Sequence, residues 1–142
     1  MAWTRRTELK VYLAVPIIGG RDLGGARSIA SVIGSFGHDV VSSWVLIEDP
    51  GFKLSATDVF NRDLSGVEEC DILVAEITLA SHGVGMETMA AHFYGKQILL
   101  LHKQGAKISR MLLGIPSAKL VEYTTSDEMT KALKDILPSL GQ

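Results

Sequence analysis

Short apolar blocks alternate along the chain with longer stretches whose apolar residues recur at helical spacing, the pattern of a parallel sheet with crossover helices. The first block, Lys10 to Pro16, is almost unbroken in Val, Tyr, Leu and Ala, as suits a central strand covered on both faces. Gly19-Gly20 turns the chain. Arg21 to Phe36 then sets Leu23, Ala26, Ile29, Ala30 and Ile33 at helical spacing before Gly37 stops the helix. A second strand is predicted from Asp39 to Leu46, followed by an exposed turn at Asp49-Pro50-Gly51. From Ser55 a helix carries Val59, Phe60, Leu64 and Val67 as its apolar stripe, with Asn61, Arg62 and Asp63 off it or at its edge and Ser55 or Thr57 as cap. Asp71 to Ile77 reads as the third strand, and a helix from about Gly85 to Tyr94 leads into the fourth, Gln97 to Leu101. A short helix at Ile108 to Leu113, a fifth strand at Lys119 to Tyr123 and a helix from Ser126 to Leu137, with Asp127 and Glu128 at its start, complete the series.

No repeat, low-complexity tract or linker interrupts this order, so residues 1–142 read as one domain. The fold class expected is α/β: a flavodoxin-like doubly wound domain whose five-stranded parallel sheet has the order 2-1-3-4-5, with helices on both faces. In such sheets ligands bind beyond the carboxyl ends of the strands, where the winding reverses. The loops after strands one, three and four are therefore the places to look for chemistry.

A net charge of -2 leaves no excess of Lys and Arg for coating a nucleic acid, although one small anionic ligand stays open. Cys70 is the single cysteine, which excludes an internal disulfide and a thiolate cluster and suggests a reducing compartment. The run from Val11 to Ile18 is too short for a signal peptide or for a membrane span of about 20 apolar residues. A soluble cytoplasmic protein is expected, without nucleic-acid or membrane partner and without cofactor. His38, His92 and His102 have no spacing that resembles a zinc site, so no metal is expected either.

Two glycine-bearing segments fall at the switch-point end: Pro16-Ile17-Ile18-Gly19-Gly20-Arg21 after strand one, and Ser81 to Glu87, with Gly83 and Gly85, after strand three. Glycines there let backbone N–H groups approach a ligand, and a following helix N-terminus favours an anion. Neither segment has P-loop or dinucleotide spacing, and tight turns that use glycine for sterics alone are the plainer reading. Glu87, near the first turn of its helix, should project toward the crevice; serving the helix dipole is its alternative role. Asp63 reaches the same edge if its helix crosses the sheet, and is otherwise a solvated carboxylate. Two such acids suit glycosidic cleavage, in which one carboxylate attacks or stabilises an oxocarbenium-like centre while a second group protonates or orients the leaving group. A deoxyribosyl centre, lacking the 2'-hydroxyl that destabilises the cation, needs only a modest pair. Tyr12 points either at the crevice or into the core. His82 reads as a surface residue, and Cys70 has no neighbouring His to make it a nucleophile.

The run from Asn61-Arg62-Asp63 through Val74-Ala75-Glu76-Ile77-Thr78, the Ser81-to-Glu87 segment and Gly95-Lys96-Gln97-Ile98 resembles the nucleoside 2-deoxyribosyltransferase superfamily. Within it, the strand end and the Ser-x-Gly-Val-Gly-x-Glu loop are most similar to the 2'-deoxynucleoside 5'-phosphate N-hydrolases of the Rcl type. The resemblance covers nearly the whole chain. It implies that Glu87 is the nucleophile, that Asp63 assists the leaving base and that Tyr12 lines the sugar site. It further implies that Ser81 and Gly83 hold a 5'-phosphate, and that Ser109 reaches the phosphate of a neighbouring subunit in a homodimer. In the first loop the chain departs from the Gly-Ser-Ile-Arg-Gly-Gly pattern of those hydrolases: Pro16 and Ile18 replace the polar pair ahead of Gly19 and Gly20. A lost phosphate-binding Arg removes a contact worth about 1.5 to 3 kcal/mol, for which Arg21 or Arg110 is the available substitute. Trp44 falls where the hydrolases have a histidine, either stacking on the base or packing in the core.

Hydrolysis of a 2'-deoxynucleoside 5'-monophosphate to free base and deoxyribose 5-phosphate is the leading expectation. The closest competitor is a deoxyribosyltransferase exchanging bases on unphosphorylated deoxynucleosides, favoured by the apolar first loop. A non-catalytic nucleotide-binding module is the alternative of a different class, and a flavodoxin-like electron carrier lacks its hydroxyl-rich phosphate cradle.

Overall fold

The computed structural model describes residues 8–139; residues 1–7 and 140–142 lie outside the described residues. The elements are β1 (Lys10–Ala14), α1 (Leu23–Ser35), β2 (Asp39–Val40), a 3₁₀ turn (Ser43–Leu46), α2 (Ala56–Glu69), β3 (Ile72–Glu76), α3 (His82–Phe93), β4 (Gln97–Lys103), α4 (Arg110–Leu113), β5 (Ala118–Tyr123), α5 (Ser126–Ile136) and a last 3₁₀ turn (Leu137–Ser139). The strands form one parallel sheet in the order β2-β1-β3-β4-β5, the order expected from the apolar pattern.

Because residues alternate across a strand, β1 feeds two cores. Val11 and Leu13 face α1 and α5, where Ile29, Ile33 and Leu133 close the layer. Tyr12 and Ala14 face the opposite side, packed with Val67 of α2 and with Val84 and Ala91 of α3. All four β1 residues are fully buried, which is why the strand reads as an unbroken apolar run.

The second strand is the main departure from the sequence reading, which ran it from Asp39 to Leu46. It ends at Val40, and the fully buried Ser42 takes over the next pairing. Its hydroxyl accepts from the Leu13 N–H and donates to the Leu13 carbonyl, both at 2.8 Å. The chain then coils into the 3₁₀ turn, whose carbonyls are satisfied from outside the sheet. Arg21 donates to the carbonyls of Val45, Ile47 and Glu48, and Arg27 donates to that of Leu46. A strand written for ladder bonds is replaced by a turn held by two arginines.

Helix α3 begins at His82, three residues earlier than about Gly85, because Ser81 caps it through the Val84 N–H. Gly83 and Gly85 are thus helical residues and not loop residues. Helix α5 begins at Ser126, as the pattern suggested; its cap is Thr125, with Glu128 accepting from the Thr124 N–H at 2.7 Å. The Asp49 turn is only partly exposed. Asp49 is open and takes the Gly51 and Phe52 N–H groups, which hold its carboxyl below the usual range, while Pro50 is buried.

Candidate active site

At the carboxyl edge of the sheet, between β1, the 3₁₀ turn, α2 and α3, lies a cleft of about 740 Å³. Its polar end is formed by Asp63 and Arg62 of α2, by Glu87 in the second turn of α3 and by Ser81, His82 and Gly83 at the start of α3. Its other walls are apolar: Ile17 and Ile18 of the first loop, Trp44 and Val45, and Phe52 and Leu54 ahead of α2.

Tyr12 lies beneath Glu87. Its ring is fully buried and packs against Gly66, where an added Cβ would come within 2.8 Å of the ring, so the close approach of α2 to β1 requires glycine. The Tyr12 hydroxyl makes no hydrogen bond of ordinary geometry, yet it stands near enough to Glu87 for the two groups to interact. Burial first, and the Glu87 charge second, push its ionisation far above the usual tyrosine range. The hydroxyl therefore keeps its proton and is available as a donor.

Glu87 has an unusual environment for a helix-face carboxylate. Burial pushes its pKa up to about 8; the Tyr12 hydroxyl opposes this, the Asp63 charge adds to it, and the Arg62 guanidinium again opposes it. Roughly a tenth of such groups is ionised at pH 7. Deeply seated among protein atoms, Glu87 still opens on the cleft with intermediate exposure. A perturbed carboxyl at the floor of a cleft, with a second acid across from it, is the arrangement by which sites divide attacking and proton-handling roles.

Of the residues singled out in the sequence, Ile18, Gly19, Trp44, Asp63, Ser81, Gly83 and Glu87 line this cleft, with Tyr12 directly below. Others lie elsewhere. Pro16 faces a separate cleft of about 300 Å³ on the α1 and α5 side. Arg21, offered as a substitute phosphate ligand, has its guanidinium committed to backbone carbonyls. Gly20, Gly85, Ser109 and Arg110 are absent from the lining of the cleft, and Ser109 and Arg110 are exposed. Trp44 is not free for a base on both faces: the Arg62 guanidinium lies 4.3 Å from its ring centroid, and the Tyr12 ring meets it edge-on at 6.1 Å.

Arg62 is the residue that sequence reasoning passed over. It stands in the Asn61-Arg62-Asp63 run but was placed at a helix edge, because its partners, Trp44 and Pro50, come from a turn that the sequence presented as strand and exposed loop. Glu76, within the Val74-Ala75-Glu76 strand end, takes no part in the cleft; its carboxylate accepts from the Tyr123 hydroxyl and the Thr78 N–H, tying β3 to β5.

No protein-family model matches the chain. A protein of Thermofilum pendens named "Putative 2'-deoxynucleoside 5'-phosphate N-hydrolase 1" is 33% identical over 137 residues, covering 92% of this chain and 96% of its own. The 5-hydroxymethyl-dUMP N-hydrolase of Tetraodon nigroviridis is 30% identical over 141 residues, with 89% and 96% covered. Among solved structures, the CMP N-glycosidase of Clostridium botulinum superposes with a TM-score of 0.70 at 20% identity, covering 88% of this chain and 97% of that one. The 2-deoxyribosyltransferase of Bacillus psychrosaccharolyticus does so at 0.65 and 23% identity, with 85% and 90% covered. These two bear on the fold, and the curated relatives on the family: the chain belongs to the 2'-deoxynucleoside 5'-phosphate N-hydrolase family.

Proposed function

We propose that the protein hydrolyses the N-glycosidic bond of a 2'-deoxynucleoside 5'-monophosphate, with Glu87 as nucleophile. The observation that carries this reading is the convergence of Glu87 and Asp63 in one cleft on the switch-point edge, with the Tyr12 hydroxyl buried beneath Glu87. The curated relatives, named as a 2'-deoxynucleoside 5'-phosphate N-hydrolase and a 5-hydroxymethyl-dUMP N-hydrolase, support the same substrate class. In the first step an ionised Glu87 oxygen bonds to C1' as the C1'–N bond breaks, and the electron pair leaves with the base. Asp63 orients the departing base or returns a proton to it. Water then adds to C1', its hydroxyl forming deoxyribose 5-phosphate and its proton balancing the released base, and Glu87 is regenerated. Tyr12 donates toward the Glu87 carboxylate and steadies it.

The 5'-phosphate is assigned to the start of α3, where Ser81 and Gly83 line the cleft at the helix N-terminus. The same reading takes the protein as a cytoplasmic homodimer in which Ser109 serves the neighbouring subunit; its exposure outside its own chain's cleft is compatible with that role.

A second reading, base exchange on unphosphorylated deoxynucleosides, is favoured by the apolar first loop and by the engagement of Arg21 with carbonyls. Chromatography separates the two: deoxynucleosides and their 5'-monophosphates are incubated with the protein, with and without a second base. Free base from monophosphates, unaffected by the added base, is the expected result; new nucleoside formed from unphosphorylated substrate would replace hydrolysis with transfer.

A further inference from the structure

Side chains of adjacent residues on a helix diverge by about 100°, so an i,i+1 ion pair is not something a helix supplies by itself. Arg62 and Asp63 nevertheless pair, Nε to Oδ1 at 2.9 Å, on the wall of the cleft, with side chains 24% and 26% exposed. What bends Arg62 toward its neighbour comes from outside α2. Its Nη1 donates to the Pro50 carbonyl at 2.6 Å, and its guanidinium lies on the Trp44 ring at 4.3 Å. The backbone at Gly51, in the left-handed region at φ 108°, passes so close that an added Cβ would come within 2.8 Å of Nη1. One planar group is thus gripped by an aromatic face, a carbonyl and a carboxylate that belong to three successive segments around the cleft.

We propose that Arg62 is the positioning residue of this site: it fixes the Asp63 carboxylate and the Trp44 and Pro50 walls in the orientation in which Glu87 meets the sugar, and it offsets the negative charge that Asp63 presents to Glu87. The proposal rests on the glycosidic reading above, because it assigns Arg62 a part in that reaction. The groups facing Glu87 are the Tyr12 hydroxyl from β1 and Asp63 and Arg62 from α2. Among these Arg62 is the one cation. Removing it takes away an attraction and at the same time leaves Asp63 bare beside Glu87, so both effects move the Glu87 midpoint upward. Lysine in its place keeps a positive charge but has neither the planar fork nor the flat face that Trp44 receives.

The proposal predicts a split between two variants, measured as pH profiles of kcat and kcat/KM for base release, with folding checked by circular dichroism. Arg62→Gln should lower kcat at least tenfold and raise the midpoint of the acidic limb by about half a unit or more. Arg62→Lys should lower kcat by a similar factor, with KM changed less, while its midpoint stays near that of the wild type. A Glu87 midpoint unmoved in Arg62→Gln, or wild-type turnover in Arg62→Lys, overturns the proposal. The Glu87 carboxyl signal, followed by ¹³C NMR and assigned by its loss in Glu87→Gln, gives the midpoint without turnover. If wild-type protein releases no base from any substrate, the glycosidic reading fails by itself, and a Glu87 signal that titrates alike with and without Arg62 overturns the electrostatic role independently. If Arg62→Gln does not fold, Arg62→Lys and the NMR titration of Arg62→Ala decide on the same criteria.

Discussion

A carboxyl group whose ionised form is penalised by burial gives the folded state a definite pH dependence. Glu87 has its pKa raised to about 8 in the folded chain, against an ordinary glutamate value near 4.5. The folded state therefore holds this proton more tightly than the unfolded chain. The stabilisation it contributes is complete below the ordinary value and is lost as pH rises through about 8. Gln at this position never ionises, so Glu87→Gln should gain on the wild type as pH increases. We predict that the melting temperature of the variant exceeds that of the wild type by a margin that widens by at least a few degrees between pH 6 and pH 9, where about 2 to 4 °C corresponds to 1 kcal/mol in a domain of this size. A constant margin, measured by calorimetry, would mean that Glu87 is not desolvated as described. Residue identity made Glu87 and Asp63 visible as candidate acids in the sequence. Their electrostatic setting was not visible, because it depends on Tyr12 and Arg62, which lie far from Glu87 in sequence and reach it only through the packing of α2 and α3 on β1.

At the scale of elements, the sequence pattern succeeds where burial is two-sided and fails where side chains replace ladder bonds. β1, β3 and β4 read clearly because both faces are covered. The segment after Val40 has the same apolar composition, yet Ser42 and the two arginines satisfy its neighbours and its carbonyls from the side. Periodicity carries no trace of that. The Gly83 and Gly85 pair likewise suggested a loop, whereas a Ser81 cap is enough to start α3 at His82. If Ser42 does stand in for the ladder, Ser42→Ala leaves the buried Leu13 N–H and carbonyl unpaired, at roughly 1 to 3 kcal/mol for each unmade bond. Urea unfolding should then show a loss of about 2 to 6 kcal/mol, accompanied by reduced activity because the Trp44 turn follows directly. A loss under about 0.5 kcal/mol would show that the 3₁₀ turn is held by Arg21 and Arg27 alone.

For the molecule as a whole, the strand order and the switch-point rule together located the cleft before any side chain was placed, since the segments after β1 and β3 meet only at that edge. The apolar lining from Ile17, Ile18, Phe52 and Leu54 was legible only in part: the first loop showed its departure from the phosphate-binding pattern, while Phe52 and Leu54 reach the cleft through the fold of the Asp49 turn. The central claim is that this cleft cleaves an N-glycosidic bond through Glu87. The most direct measurement is release of free base from 2'-deoxynucleoside 5'-monophosphates by the wild type and by folded Glu87→Gln, from pH 6 to pH 9. The account predicts wild-type release that rises with pH toward a plateau above about 8, as the nucleophile ionises, and a fall of at least about a thousandfold in the variant. Equal release by both proteins, or retained nucleotide binding with no release by either, would contradict it, the latter leaving a binding module in place of an enzyme.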